Sequence, residues 1–97
     1  MKIYKVKIEP QAQEDLKNIY NFISSNDSKV KARRFLRKLQ SAIIELEYMP
    51  NRFRKSIYIK RDNIHDMVVY GYTICYVIQE MSVNILSVFR QRDINYE

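Results

Sequence analysis

Apolar and polar positions change period twice along the chain. From Lys2 to Ile8 they alternate, with Tyr4, Val6 and Ile8 on one side and Lys5 and Lys7 on the other, the period of a half-buried strand. From Pro10 the period lengthens. Pro10 suits a first helical position, and Ala12, Leu16, Ile19, Tyr20 and Ile23 recur at helical spacing opposite Glu14, Lys17, Asn18 and Asn21. Ser24-Ser25-Asn26-Asp27-Ser28 reads as turn and cap chemistry. A second helix follows, with its stripe at Ala32, Phe35, Leu36, Leu39, Ala42, Ile43 and Leu46, and Pro50 ends it. Two amphipathic helices joined by a short polar turn predict a helical hairpin that must bury both stripes.

Beyond Pro50 the period shortens again. Asn51 to Asp62 is basic and reads as a loop, with a short edge strand at the Ile57-Tyr58-Ile59 alternation. A strand starts at Ile64, Gly71 marks a tight reversal, and Tyr72 to Ile78 resumes the strand. Gln79 to Ser82 is a polar turn and Val83 to Phe89 a further strand, so a three-stranded antiparallel meander closes the chain. The expected class is α+β in the order β-α-α-β-β-β, with the N-terminal helical hairpin packed on an antiparallel-rich sheet in one domain over residues 1–97.

Charge adds a direction to this scaffold. The chain of 97 residues carries a formal net charge of +6. The excess is concentrated in residues 29–61, where eleven Lys and Arg face only Glu45 and Glu47. Arg33, Arg34, Arg37 and Lys38 on the second helix, with Arg52, Arg54 and Lys55 after it, are the candidates for contact with nucleic acid or an acidic protein partner. A solvated helix face is the plainer alternative for Lys29 to Lys38.

Composition excludes other chemistry. One Cys and one His leave no metal site, and a single glycine leaves no phosphate-binding loop. No cofactor is expected. Cys75 lies in the most apolar strand and reads as a small core residue. The apolar stretch Met67 to Ile78 falls short of the roughly 20 residues that cross a bilayer, and the lysines near the start interrupt any secretory pattern, so a cytoplasmic location without a membrane is expected. What remains open to a metal-free basic protein is RNA cleavage through the RNA's own 2′-hydroxyl. That needs a general base, a general acid and cations on the phosphate, for which Arg61, His65, Arg90, Arg92 and Tyr96 are candidates. Arg90 and Arg92 would share one strand face if the last strand continues. Tyr70, Tyr72 and Tyr76 suit either base stacking or a sheet core.

The ordered set Ala12-x-x-Asp15-Leu16-x-x-Ile19 with Phe22-Ile23, then Ala32-x-x-Phe35-x-x-x-Leu39, Ile43-x-x-Leu46 and Pro50, resembles the helical hairpin of the RelE/ParE toxin superfamily. Val68-x-x-Gly71-Tyr72-x-Ile74-x-Tyr76-x-Ile78, Val83-x-Ile85-x-x-Val88 and Arg92-Asp93 resemble its hairpin and closing strand, so the likeness covers residues 3–93. The resemblance implies a bacterial toxin of a type II toxin-antitoxin pair, held in check by a cognate antitoxin expected to be acidic. RelE-like members cut mRNA on the ribosome, whereas ParE-like members inhibit DNA gyrase without nuclease chemistry.

The two classes leave different marks on this chain. Ribonuclease members commonly carry an arginine after the Gly-Tyr of the hairpin and basic residues on the preceding strand. Here Thr73 follows Tyr72, and Asp66, Met67 and Val68 occupy that strand. Arg92 matches a family arginine after the last strand, and Tyr96 lies near the place of a C-terminal tyrosine used in cleavage. Arg90-Gln91 stands where ParE-like proteins often have His-Gly. The resemblance favours the ParE-like class, with Arg61, Arg90 and Arg92 as target contacts. A ribonuclease would use Arg61, His65, Arg92 and Tyr96. On the residues alone, a non-catalytic nucleic-acid-binding module stays open.

Overall fold

The computed structural model describes residues 3–90. Arg92 and Tyr96 lie outside the described residues. The first strand, β1, spans Lys5–Ile8, and the chain then enters α1 at Pro10–Asn26. Pro10 occupies the first helical turn, where its missing N–H would have no intrahelical partner in any case. The helix buries Ala12, Leu16 and Ile19, one face at spacings of four and three.

The polar stretch Ser24 to Ser28 is not the turn its composition predicts. α1 runs on through Asn26, whose side-chain amide donates to the Phe22 carbonyl, and the Asp27 N–H donates to Ile23. Only Asp27 and Ser28 separate the helices. Ser28 does cap α2, Lys29–Ile44, by accepting from the Lys31 N–H at 3.1 Å. Pro50 does not terminate α2 directly. The helix ends at Ile44, a 3-10 turn at Glu45–Glu47 carries the buried Leu46, and Pro50 opens a second 3-10 turn ending at Arg52.

Among the described residues the sheet has five strands in the order β1-β5-β4-β3-β2, where β2 is Arg54–Lys55, β3 Ile64–Val69, β4 Tyr72–Gln79 and β5 Ser82–Arg90. The short edge strand is therefore Arg54–Lys55 rather than Ile57-Tyr58-Ile59. β3, β4 and β5 form the expected antiparallel meander, while β1 pairs in parallel with β5. Tyr70 and Gly71 both take positive φ, 52° and 81°, as a two-residue hairpin turn matched to strand twist requires. Gly71 is thus the residue the reversal needs.

β1 covers β5 only as far as Ile85. Beyond it β5 bulges, the register shifting between Cys75 and Tyr76 of β4, and the Val88 N–H is free of β1. Asp15 of α1 accepts that N–H at 2.9 Å, which ties helix to sheet through a polar contact as well as through packing. Both helices lie on one face of the sheet. Ala12, Leu16, Ile19, Leu39, Ile43 and Leu46 meet Met67, Ile74, Tyr76, Val83, Ile85 and Val88 in one apolar core. Tyr72 sits half-buried against Phe35, whereas Tyr70 at the hairpin turn is exposed and outside the core.

Candidate functional site

The segment between β2 and β3 is built around two buried polar side chains. Ser56 donates its N–H to the Ile64 carbonyl at 2.8 Å, and its Oγ accepts from the N–H groups of both Tyr58 and Ile59 at 3.1 Å. Asp66, opposite Arg54 in the ladder, accepts the Ile57 N–H at 3.1 Å and pairs with the Arg54 guanidinium at 3.5 Å through the same Oδ2. The backbone of residues 56–59 is consequently held at all four amides. Tyr58 lies edge-on against Phe89, their centroids 5.0 Å apart, so the loop folds over the sheet face opposite the helices. Lys55 and Asp62 also pair at 3.5 Å, but both are exposed and such a pair contributes little.

On that same sheet face lie Asp66, Thr73 and Cys75, all buried. Thr73 stands between Val68 and Phe89 in the ladder, so the position after Gly71-Tyr72 presents a small hydroxyl inside the protein rather than a cation to solvent. Burial pushes the Cys75 thiol up to about 11, with the nearby Asp66 carboxylate acting in the same direction. A thiol so placed is no nucleophile at neutral pH. Among the described residues no group of three His, Cys, Asp or Glu is placed to hold a metal ion. No helix among them is long and apolar enough to cross a membrane.

His65 is placed by packing. Its ring stacks on Tyr76 with centroids 5.6 Å apart, its Nδ1 lies 2.9 Å from the Phe53 carbonyl, and only 6% of the residue is exposed. Nδ1 must therefore carry the proton that the carbonyl accepts. The Tyr76 hydroxyl donates to the Pro50 carbonyl, so the two rings together pin the Pro50–Phe53 segment to the sheet. Burial also pushes the Tyr76 phenol up.

Arg61 and Arg90 are both exposed but do not meet. Arg90 is the register partner of Tyr72, whereas the turn carrying Arg61 is tied to the far end of β4 by the Ile78 N–H donating to Asn63. Those ends of β4 are roughly 20 Å apart at about 3.3 Å per residue. Arg90 instead lines a cleft of about 300 Å³ with Asp15, Asn18 and Phe22. Lys55 reaches the turn that carries Arg61 through its pair with Asp62, whereas Arg54 is engaged by Asp66 and Arg52 lies over the Phe53 ring at 4.9 Å.

The second basic surface is the outer face of α2. Arg33, Arg34, Arg37 and Lys38 are all exposed, and the last three border a cleft of about 440 Å³ whose floor includes Phe53, Met67 and Val69. Lys38 lies 5.4 Å from the Tyr70 ring centroid, a cation–π contact across the mouth of that cleft. Glu45 also lines the cleft, but three cations over a partly apolar floor suit an amphipathic acidic segment.

Asp66, Ser56 and Asp15 were not legible as structural anchors from the sequence. Asp66 gave a signal as an acid inside an apolar strand, where burial demands a partner. A family model described as the ParE toxin of the type II toxin-antitoxin system parDE matches residues 6–95. No curated protein matches the chain. Among solved structures, a chain of the chromosomal ParDE toxin-antitoxin system of P. aeruginosa is similar with a TM-score of 0.80 at 14% identity, covering 93% of this chain and 98% of that one. A chain of the toxin-antitoxin complex RelBE2 of Mycobacterium tuberculosis is similar with a TM-score of 0.70 at 21% identity, covering 96% and 97%. These two likenesses concern the fold, whereas the family match spans nearly the whole sequence. The chain belongs to the ParE toxin family of type II toxin-antitoxin systems.

Proposed function

We propose that this toxin arrests growth as ParE-like members do, by inhibiting DNA gyrase, and that it does not cleave mRNA on the ribosome. The observation that carries this reading is Thr73, buried in β4 where a ribonuclease of the superfamily would present an arginine. Cleavage through a 2′-hydroxyl builds negative charge on the phosphorane, and losing one positioned stabiliser of such charge typically lowers the rate by about 100-fold or more. His65, enclosed between Tyr76 and Phe53, adds to the same reading, since it offers no open imidazole for proton transfer. In this proposal Arg61, Arg90 and Arg92 contact the target, and the antitoxin is acidic and docks on the basic surface made by Arg33, Arg34, Arg37, Lys38, Arg52, Arg54 and Lys55.

Purified toxin added to a supercoiling assay is expected to inhibit gyrase, and the same preparation is expected to leave mRNA intact on translating ribosomes. Arg92→Ala is expected to weaken toxicity by removing a target contact. Codon-aligned mRNA cuts that vanish in Arg92→Ala or Tyr96→Phe would overturn the proposal in favour of the ribonuclease.

A further inference from the structure

The loop between β2 and β3 presents Ile57, Tyr58 and Ile59 consecutively, and they are 53%, 37% and 37% exposed. Three adjacent large apolar residues in water are unfavourable unless something covers them in use. The loop is not loosely held, because the Ser56 hydroxyl and the Asp66 carboxylate fix the amides of residues 57–59. A preorganised apolar tip loses little conformational freedom on binding, which is the property of a docking element. Lys60 and Arg61 follow it directly, both exposed, and place a cationic collar on one side.

The chemistry of the tip decides what it fits. Branched aliphatic side chains gain nothing from the faces of bases, and the Tyr58 ring already packs edge-on against Phe89. Ile57 and Ile59 require an apolar pocket, which a protein surface provides and a nucleic-acid backbone does not. We propose that the Ile57-Tyr58-Ile59 tip is the element by which the toxin docks on its target, the partner being a protein surface with an apolar pocket beside acidic residues that face Lys60 and Arg61. This rests on the reading that the target is a protein.

The test compares wild type with Ile57→Ser/Ile59→Ser and with Lys60→Ala/Arg61→Ala, each induced alone and with the antitoxin, and each assayed on gyrase supercoiling. Both pairs are exposed, and thermal unfolding verifies that each variant folds. The aliphatic pair is expected to abolish growth arrest and to raise the half-inhibitory concentration on gyrase by about tenfold or more, while antitoxin affinity stays as in wild type. The cationic pair is expected to give a smaller loss that fades at high salt. Wild-type arrest by the aliphatic variant overturns the proposal. So does loss of antitoxin binding alongside toxicity, which would assign the tip to the antitoxin, or a wild-type dimer that this variant dissociates, which would assign it to self-association. Arrest lost only in the cationic variant also overturns it, in favour of a polyanion. If wild type arrests growth yet leaves supercoiling unchanged, the gyrase reading fails, and the growth arrest of the two variants still decides the docking proposal.

Discussion

Asp66 and Arg54 face each other across the β2–β3 ladder, with the buried Asp66 Oδ2 3.5 Å from a guanidinium that remains 45% exposed. The same oxygen accepts the Ile57 N–H, so one carboxylate joins the edge strand, the loop and the sheet. Asp66→Ala is expected to destabilise the fold by about 1 to 3 kcal/mol, the range for leaving a part-buried amide without its acceptor. Arg54→Ala is expected to cost a comparable amount, about 1 to 3 kcal/mol, since it leaves the buried Asp66 carboxylate without its cation. Urea unfolding measures both, and amide exchange at Ile57 will accelerate in the Asp66 variant before global unfolding does.

Leu39 is fully buried at the centre of the α2 stripe, where both helices meet the sheet. Leu39→Ala is expected to cost about 2 to 5 kcal/mol through lost burial and a residual cavity. A loss below about 0.5 kcal/mol in denaturant unfolding would contradict the packing described.

The helical stripes and both hairpin reversals were legible because each is encoded within a few residues. Leu16 and Leu39 repeat with the helix period, and Gly71 supplies the positive φ that the turn demands. The elements that were not legible depend on side-chain to backbone contacts that composition and periodicity do not reveal. β2 forms at Arg54–Lys55 because Asp66 and the Ile64 carbonyl await it, while the alternating Ile57-Tyr58-Ile59 is bent off the ladder by the Ser56 hydroxyl. Asn26 continues α1 by reaching back to Phe22, which its usual preference for turns conceals. At the site, the charge of residues 29–61 was visible as composition. The separation of Arg61 from Arg90, and the enclosure of His65 against Tyr76, follow from strand register and could not be read from spacing.

Cys75 makes stability pH-dependent in a defined direction. Its thiol is raised from 9.0 to about 11 in the fold, so above pH 9 the unfolded chain releases a proton that the folded chain keeps. Its contribution is therefore fully present below pH 9 and is lost as pH rises toward 11. Between pH 9 and pH 10 the loss is on the order of 1 kcal/mol, from about 1.4 kcal/mol per unit of pKa difference. Cys75→Ala is expected to flatten this slope in unfolding measured from pH 8 to pH 10. A thiol reagent is expected to leave folded wild type unmodified at pH 8.

In the proposed neutralised complex the basic surface of α2 meets the antitoxin. Arg34, Arg37 and Lys38 rim a cleft that also holds Glu45, and an acidic amphipathic segment would be drawn by the cations before its apolar residues reach Phe53 and Val69. Long-range attraction acts on encounter and is screened beyond about 10 Å at 0.1 M salt, whereas apolar contacts formed after docking govern release. The association rate is therefore expected to rise as salt is lowered, with the dissociation rate changing much less. Arg34→Ala/Arg37→Ala is expected to reduce that salt dependence, and the half-buried Val69→Ala to speed dissociation while leaving it intact. An association rate that stays flat from low to high ionic strength would mean that the charge on α2 plays no part in capture.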